Sequence, residues 1–169
     1  MPRRYFFRHQ PAACIPSWVK AAIGTVVSLG LIATLNDLGG APLLTAPLGA
    51  SAMLVFGMPD SPMSQPANVV GGHLIATVIG LLFDHYLPAG WVAMALSVAV
   101  VMVVLALARL THPPAGADPL VVMMEHPGWS FLLMPVLVGA LTLVVVAVLI
   151  HRLPPRRPYP LPIESAPRD

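Results

Sequence analysis

The stretch RLTHPPAGADPLVV, residues 109–122, breaks an apolar run of membrane-spanning length with prolines, an arginine, a histidine and an aspartate. An ordinary spanning helix rarely carries so much polarity, because each polar group in hydrocarbon needs a partner. The stretch reads as a helix end or as a broken helix lining a polar cavity. A related stretch, TAPLGASAMLV, occupies residues 45–55. Pro47-Leu48-Gly49-Ala50-Ser51 and Pro114-Ala115-Gly116-Ala117-Asp118 share the order proline, any residue, glycine, alanine, polar residue, at an offset of 67.

Composition sets the class. Hydrophobic residues make up 57% of the chain and charged residues 9%, against roughly 25% charged in a soluble domain. Such a chain cannot cover its surface for water and is expected to be an all-α integral membrane protein. The single cysteine, Cys14, excludes an intrachain disulfide and a multi-cysteine metal site. No metal or cofactor is expected, no nucleic-acid partner, and no enzyme: nucleophile–base spacing, metal-ligand clusters and phosphate-cradling glycine loops are not seen.

Outward from the two stretches, the chain divides into a basic tail (1–18), a membrane domain (19–152) and a proline-rich tail (153–169) expected to be extended or disordered. Four long apolar runs are expected at about 19–35, 69–87, 90–110 and 131–150. Two short Pro/Gly-interrupted segments accompany them, the first being residues 42–57, about 24 Å as a helix and short for a hydrocarbon core. The first run is too long for a signal-peptide core. Slid by 67 residues, the chain registers on itself without gaps. The expected fold is therefore a helical bundle of two three-segment repeats, about 19–87 and 88–152.

Both tails are basic, with Arg3, Arg4, Arg8 and Lys20 at one end and Arg152, Arg156, Arg157 and Arg168 at the other. The positive-inside rule places both in the cytoplasm and makes the number of crossings even. Six crossings invert the halves; four leave them parallel. Arg109 as an internal cation favours six. The expected home is a prokaryotic cytoplasmic (inner) membrane.

Paired interrupted segments in matching positions mark transporter sites, because a helix starting within the membrane presents N–H groups and a positive dipole end to anions. The candidate pathway residues are Gly49, Ala50 and Ser51, Gln65 and Asn68, His73, Arg109, His112, Pro113, Pro114, Gly116, Ala117 and Asp118. Ser51 is expected to cap its helix or donate to an anion. Asp118 repels an anion, and so is expected to cap its helix, to pair with Arg109 or His112, to take up a travelling proton, or to mark a cation site. Gly72, Ala76 and Gly80 form a small-residue stripe for helix packing, which together with the small size of the chain suggests a homo-oligomer in the lipid bilayer.

His112-Pro113-Pro114 followed by Ala115-Gly116-Ala117 resembles the motif of the HPP family of small membrane proteins. Gly49-Ala50-Ser51-Ala52, Pro59-Asp60-Ser61-Pro62, Gln65-Pro66-Ala67-Asn68 and Gly71-Gly72-His73 strengthen the likeness, which covers roughly residues 20–149. That family is usually described with four transmembrane segments, at odds with six. Some of its members are associated with nitrite transport in chloroplasts and cyanobacteria, and some carry fused regulatory domains, for which 169 residues leave no room. The resemblance implies a transport core for a small ion, with nitrite a candidate substrate. Two other readings stay open: a channel or transporter for another solute or cation, and a membrane-embedded regulatory subunit that transports nothing.

Overall fold

The computed structural model describes residues 12–39 and 45–162, which are helical without strands. The six α-helices are α1 (Ile15–Gly39), α2 (Ala46–Gly57), α3 (Pro66–Tyr86), α4 (Trp91–Leu107), α5 (Asp118–Glu125) and α6 (Val138–His151). Short 3-10 turns occupy Pro62–Ser64, Pro113–Ala117 and Trp129–Leu132. The start of the first short segment, before Thr45, and the arginines at 3, 4, 8 and 168 lie outside the described residues.

Proline sets where the segments begin. α2, α3, the 113–117 turn and α5 each carry proline in their first two positions, where a missing N–H removes no helical bond. α4 ends in a Schellman turn. Arg109 has φ 56°, its N–H bonds Ala106 O at 3.1 Å, and the Leu110 N–H bonds Leu105 O at 2.9 Å. Glycine usually takes that left-handed position, so the sequence disguised the stop. His126, at φ 50° before Pro127, also ends α5 in the left-handed region, but with a single bond from its own N–H to Val122 O at 2.9 Å, since Pro127 has no N–H to donate. The last span differs from the uninterrupted run expected. Met134 has extended backbone (φ −126°, ψ 113°) ahead of Pro135, so regular α-helix starts only at Val138.

The segments alternate in direction. The Trp18 ring reaches the position of a Gly57 Cβ, and Lys20 donates to the carbonyls of Leu153 and Pro155. The start of α1, the end of α2, the start of α3 and the end of α6 therefore share one end of the bundle, here termed the tail end. At the far end His126 Nδ1 meets Asp84 Oδ1 at 2.6 Å. Leu110 packs on Gly71, and Asn68 Nδ2 donates to Thr111 O at 3.0 Å. The chain thus returns to the first turns of α3 before the 113–125 segment climbs back to Asp84. The two halves follow the same long–short–long order in opposite directions, the six-segment route.

Three spans, Ile15–Leu35, Pro66–Tyr86 and Trp129–His151, are long and apolar enough to cross a bilayer. α2 and α5, at 12 and 8 residues, are shorter than the roughly 20 residues a crossing needs. Apolar side chains face outward, with Val19, Ile23 and Val26 on α1, Leu96, Val100 and Val103 on α4, and Leu141, Val145 and Leu149 on α6 all exposed. Hydrocarbon is the solvent such a surface fits.

The small-residue stripe is filled from within the chain. A Cβ on Gly80 would lie 2.7 Å from Pro119 Cα, and one on Gly72 would lie 2.8 Å from His112 Cβ. The stripe seats residues 110–122 and is not free for a second copy, so it no longer argues for an oligomer. In the other half a Cβ on Gly139 would meet Leu48 at 2.4 Å. Gly139 and Gly72 are 67 residues apart, as are Ala115, which flanks Gly72, and Leu48.

The C-terminal segment is held in place as far as it is described, without helix or strand. Tyr159 is buried, its hydroxyl donates to Ser64 O at 3.0 Å, and the Leu161 N–H donates to Gln65 Oε1 at 2.8 Å. Arg157 pairs with Asp60. These bonds give a proline-rich stretch, already restricted in its unfolded state, a fixed place across the tail end.

Two outcomes follow for the fold. Cys14 is exposed, and hydrogen bonds with Ser17 hold its thiol below the ordinary cysteine range, so it reacts readily with an impermeant maleimide. In a Cys14→Ser background, a cysteine at Gln65 is labelled from the side that reaches Cys14, and one at Tyr86 from the other. Labelling of both from one side would rule out alternating segments. Gly80→Ala lowers stability by about 1–3 kcal/mol through overpacking, read by thermal unfolding in detergent. Gly30→Ala, with nothing within 4 Å of its Cβ, causes no loss.

Candidate functional site

The first polar group of the site is Ser51, in the second turn of α2 with no exposed surface. Its Oγ lies 3.0 Å from Pro47 O, the back-bond usual for serine inside a helix. It also lies 2.7 Å from His73 Nε2 and 2.8 Å from His112 Nε2. His73 comes from α3, and its Nδ1 meets Asp118 Oδ2 at 2.7 Å. His112 precedes the 113–117 turn, and its Nδ1 lies 2.8 Å from Met63 O. A carbonyl only accepts, so that nitrogen carries a proton. The result is one run, Asp118, His73, Ser51, His112, Met63 carbonyl, with the Pro47 carbonyl as a side branch at Ser51.

The run joins four elements and is sealed. His73 is 1% exposed, His112 0% and Asp118 3%. His73 sits seven residues into α3, roughly 10 Å from its tail-end start at 1.5 Å per residue. Inside hydrocarbon such groups persist only when fully partnered. The two imidazoles meet edge to face, 5.1 Å between centroids. Ser51 and Asp118 stand 67 residues apart, at matching places on the two short segments. Ala140, the counterpart of His73, is apolar and buried, so the arrangement occurs once.

Of the residues singled out from sequence, the structure brings Ser51, His73, His112 and Asp118 together. Asp118 pairs with His73, not with Arg109 or His112, and no side-chain cap is made at its helix. Ser51 does not cap α2, whose first turn is closed by Thr45 O accepting from Leu48 and Gly49. The helix N-terminus is therefore not a free N–H cradle. Pro113 is exposed and Pro114, Gly116 and Ala117 are half-buried, forming the turn that delivers His112 and Asp118. Ala50 is exposed. Gly49 and Gly116 leave open space at their Cβ positions. Asn68 positions the run through Thr111 O.

Gln65 and Arg109 lie apart from this centre. Gln65 donates to Pro59 O and Ser61 O and accepts from Leu161, tying loop to tail at the bundle end. Arg109 is exposed and forms the left-handed stop of α4.

Sequence reasoning missed three features. The Met63 carbonyl closes the run, and no side-chain pattern announces a carbonyl. Thr77 Oγ1, one turn beyond His73 on α3, is buried with no hydrogen-bond partner among the described residues; its place on the His73 face was legible. At the tail end a cavity of about 340 Å³ is lined by Cys14, Lys20, Phe56, His151 and Arg157. His151 Nε2 donates to Val55 O at 3.0 Å, while its Nδ1 has no hydrogen-bond partner among the described residues. Among the described residues no group of three or more His, Cys, Asp or Glu is placed to hold a metal ion.

The protein-family model described as the HPP transmembrane region matches residues 10–160. The chain is similar to two Dictyostelium discoideum proteins, each named a transmembrane protein. One is 33% identical over 127 residues, 70% of this chain and 45% of the relative. The other is 31% identical over 153 residues, 86% of this chain and 49% of the relative. The chain thus spans about half the length of the curated relatives it matches. No solved structure matches it.

Removing one partner from the run strands another. His73→Leu leaves the Asp118 carboxylate buried and alone, and costs about 3–5 kcal/mol. Adding Asp118→Leu removes the stranded charge, so the double variant is more stable than His73→Leu alone. Thermal unfolding in lipid or detergent reads both. Additive losses would show that the pair is not coupled.

Proposed function

This chain belongs to the HPP transmembrane family, and we propose that it carries a small inorganic anion, with nitrite the first candidate, across a cytoplasmic membrane. The observation that carries the reading is the sealed run of Asp118, His73, Ser51 and His112 where the two interrupted segments meet. Polar groups inside an otherwise apolar bundle are costly and mark pathways. Interrupted segments in opposed halves are where secondary transporters hold substrate, and we read the halves as an inverted repeat.

Charge supports the direction of approach. Lys20, Arg152, Arg156 and Arg157 gather at the tail end, while Asp84 and Glu125 lie toward the far end. The positive-inside rule then puts the tail end, and both termini, in the cytoplasm. The tail-end cavity is lined by Lys20 and by Arg157, the latter paired with Asp60, so basic groups stand on the side from which an anion would approach. In this arrangement the centre is closed to both sides, the occluded stage of a carrier. His73 offsets the Asp118 carboxylate that would otherwise repel an anion.

Asp118, His73 and Ser51 also have the connectivity of a nucleophilic triad. We read them as non-enzymatic. The Ser51 hydroxyl is held between two imidazoles inside a helix whose own bonding occupies the local backbone, leaving no free N–H pair to stabilise an oxyanion.

The test is nitrite uptake into proteoliposomes, with and without an inward proton gradient, for the intact chain, His112→Ala and Arg109→Ala. Uptake is expected in the intact chain and in Arg109→Ala, and is lost in His112→Ala. No nitrite uptake by folded intact protein would overturn the nitrite reading.

A further inference from the structure

The hydrogen-bond run contains a count that its distances impose. Met63 O fixes a proton on His112 Nδ1, and the ionised Asp118 fixes one on His73 Nδ1. If both imidazoles are neutral, both Nε2 atoms are bare acceptors. They lie 2.7 and 2.8 Å from the same Ser51 Oγ, which owns a single proton. One contact must then set lone pair against lone pair with no hydrogen between, at full burial, where an unmatched polar pair is most costly.

One added proton resolves the conflict between the two imidazoles, and leaves Pro47 O, 3.0 Å away, as the longest of the three contacts of Ser51 Oγ. We propose that the Asp118–His73–Ser51–His112 run is a binding site for a single dissociable proton, relayed between the two histidines through the Ser51 hydroxyl. In one arrangement His73 is the imidazolium. Its Nδ1–H donates to Asp118, its Nε2–H donates to Ser51 Oγ, and Ser51 O–H donates to His112 Nε2. Transfer breaks the His73 Nε2–H bond and forms a new Oγ–H bond, while the original Ser51 proton passes to His112 Nε2. His73 is then neutral, Ser51 O–H points at it, and His112 is the imidazolium donating to Ser51 Oγ and Met63 O. Charge and proton number are unchanged, and both imidazole contacts of Ser51 are matched in both arrangements. Protonation of Asp118 in place of His73 keeps the same count and the same Nε2–H.

The groups facing this proton are few. α5 contributes Asp118, the 109–112 stretch His112, α2 the hydroxyl of Ser51 and α3 His73 itself, with Thr77 one turn further on. The apolar faces of α4 and α6 bring no ionised group to the run; His151 of α6 is turned to Val55 O. One end of the relay reaches the Met63 carbonyl, in the tail-end loop. The other points along α3 past Thr77 toward Asp84 and His126.

Resting on the transport reading, loss of the proton would set the lone pairs of α2 against those of α3 or of the His112 stretch, and would loosen the junction that seals the centre. Proton occupancy would then hold the carrier shut, and release would favour opening.

The experiment is nitrogen-15 NMR of histidine-labelled full-length protein in lipid bilayers at neutral pH. His73 and His112 are assigned by the resonances lost in His73→Asn and His112→Asn. The expected result is a proton on one of the two Nε2 atoms, exchanging between them, with Nδ1 of His112 protonated throughout. Ser51→Thr keeps the exchange and Ser51→Ala abolishes it, while backbone spectra report that each variant is folded. Two bare Nε2 atoms in the folded intact protein would overturn the proton site. Exchange that persists in Ser51→Ala would overturn the relay. The readout needs no transported solute, so a protonated run with no nitrite uptake would sink the nitrite reading alone.

Discussion

One hydroxyl shared by two imidazoles in a space without water is the contact on which the bundle depends. Ser51 is hydrogen-bonded to both His73 and His112, and through them it connects α2 to α3 and to the interrupted 109–122 stretch. In water each of these groups would find other partners. In hydrocarbon their partners must be protein groups. Segments too short to cross the hydrocarbon core unaided are held in place because the polar atoms buried on them have nowhere else to bond.

The close packing follows from that requirement. Hydrogen bonds of 2.7 and 2.8 Å from one oxygen demand that three backbones approach closely. Glycine on α3 makes this possible, since any side chain at Gly72 would displace His112, and any at Gly80 would strike Pro119. Bulky apolar residues pack the core, Ile32, Leu48, Phe56 and Leu143 among them, and others such as Val26 and Met102 face outward, where lipid accepts them. The polar run is thus an island within an apolar bundle that is apolar on its surface as well.

Much of this was legible along the chain. Low charge and high apolar content gave the membrane class. Proline followed by glycine at matching places marked the two short segments, because proline fits only at a helix start or a break. Ser51, His73, His112 and Asp118 all stood out as polar groups in apolar runs. Arg109 misled, since a left-handed stop is expected of glycine and its charge drew attention from its backbone. Gln65 misled for a different reason. An amide beside a helix start looks the same whether it faces a cavity or, as here, holds the returning tail.

The sequence by itself determined the solvent of this protein, the order of its long and short segments and the polar residues that had to be buried, because hydropathy, proline and charge act locally. Only the tertiary structure decided who bonds whom. Asp118 could have met Arg109, His112 or His73, and periodicity along one helix carries no record of how another is rotated against it. That rotation is set by where glycine lets backbones touch, across separations such as the 45 residues between His73 and Asp118. The pairing, and the proton count that comes with it, exist only once the helices are packed.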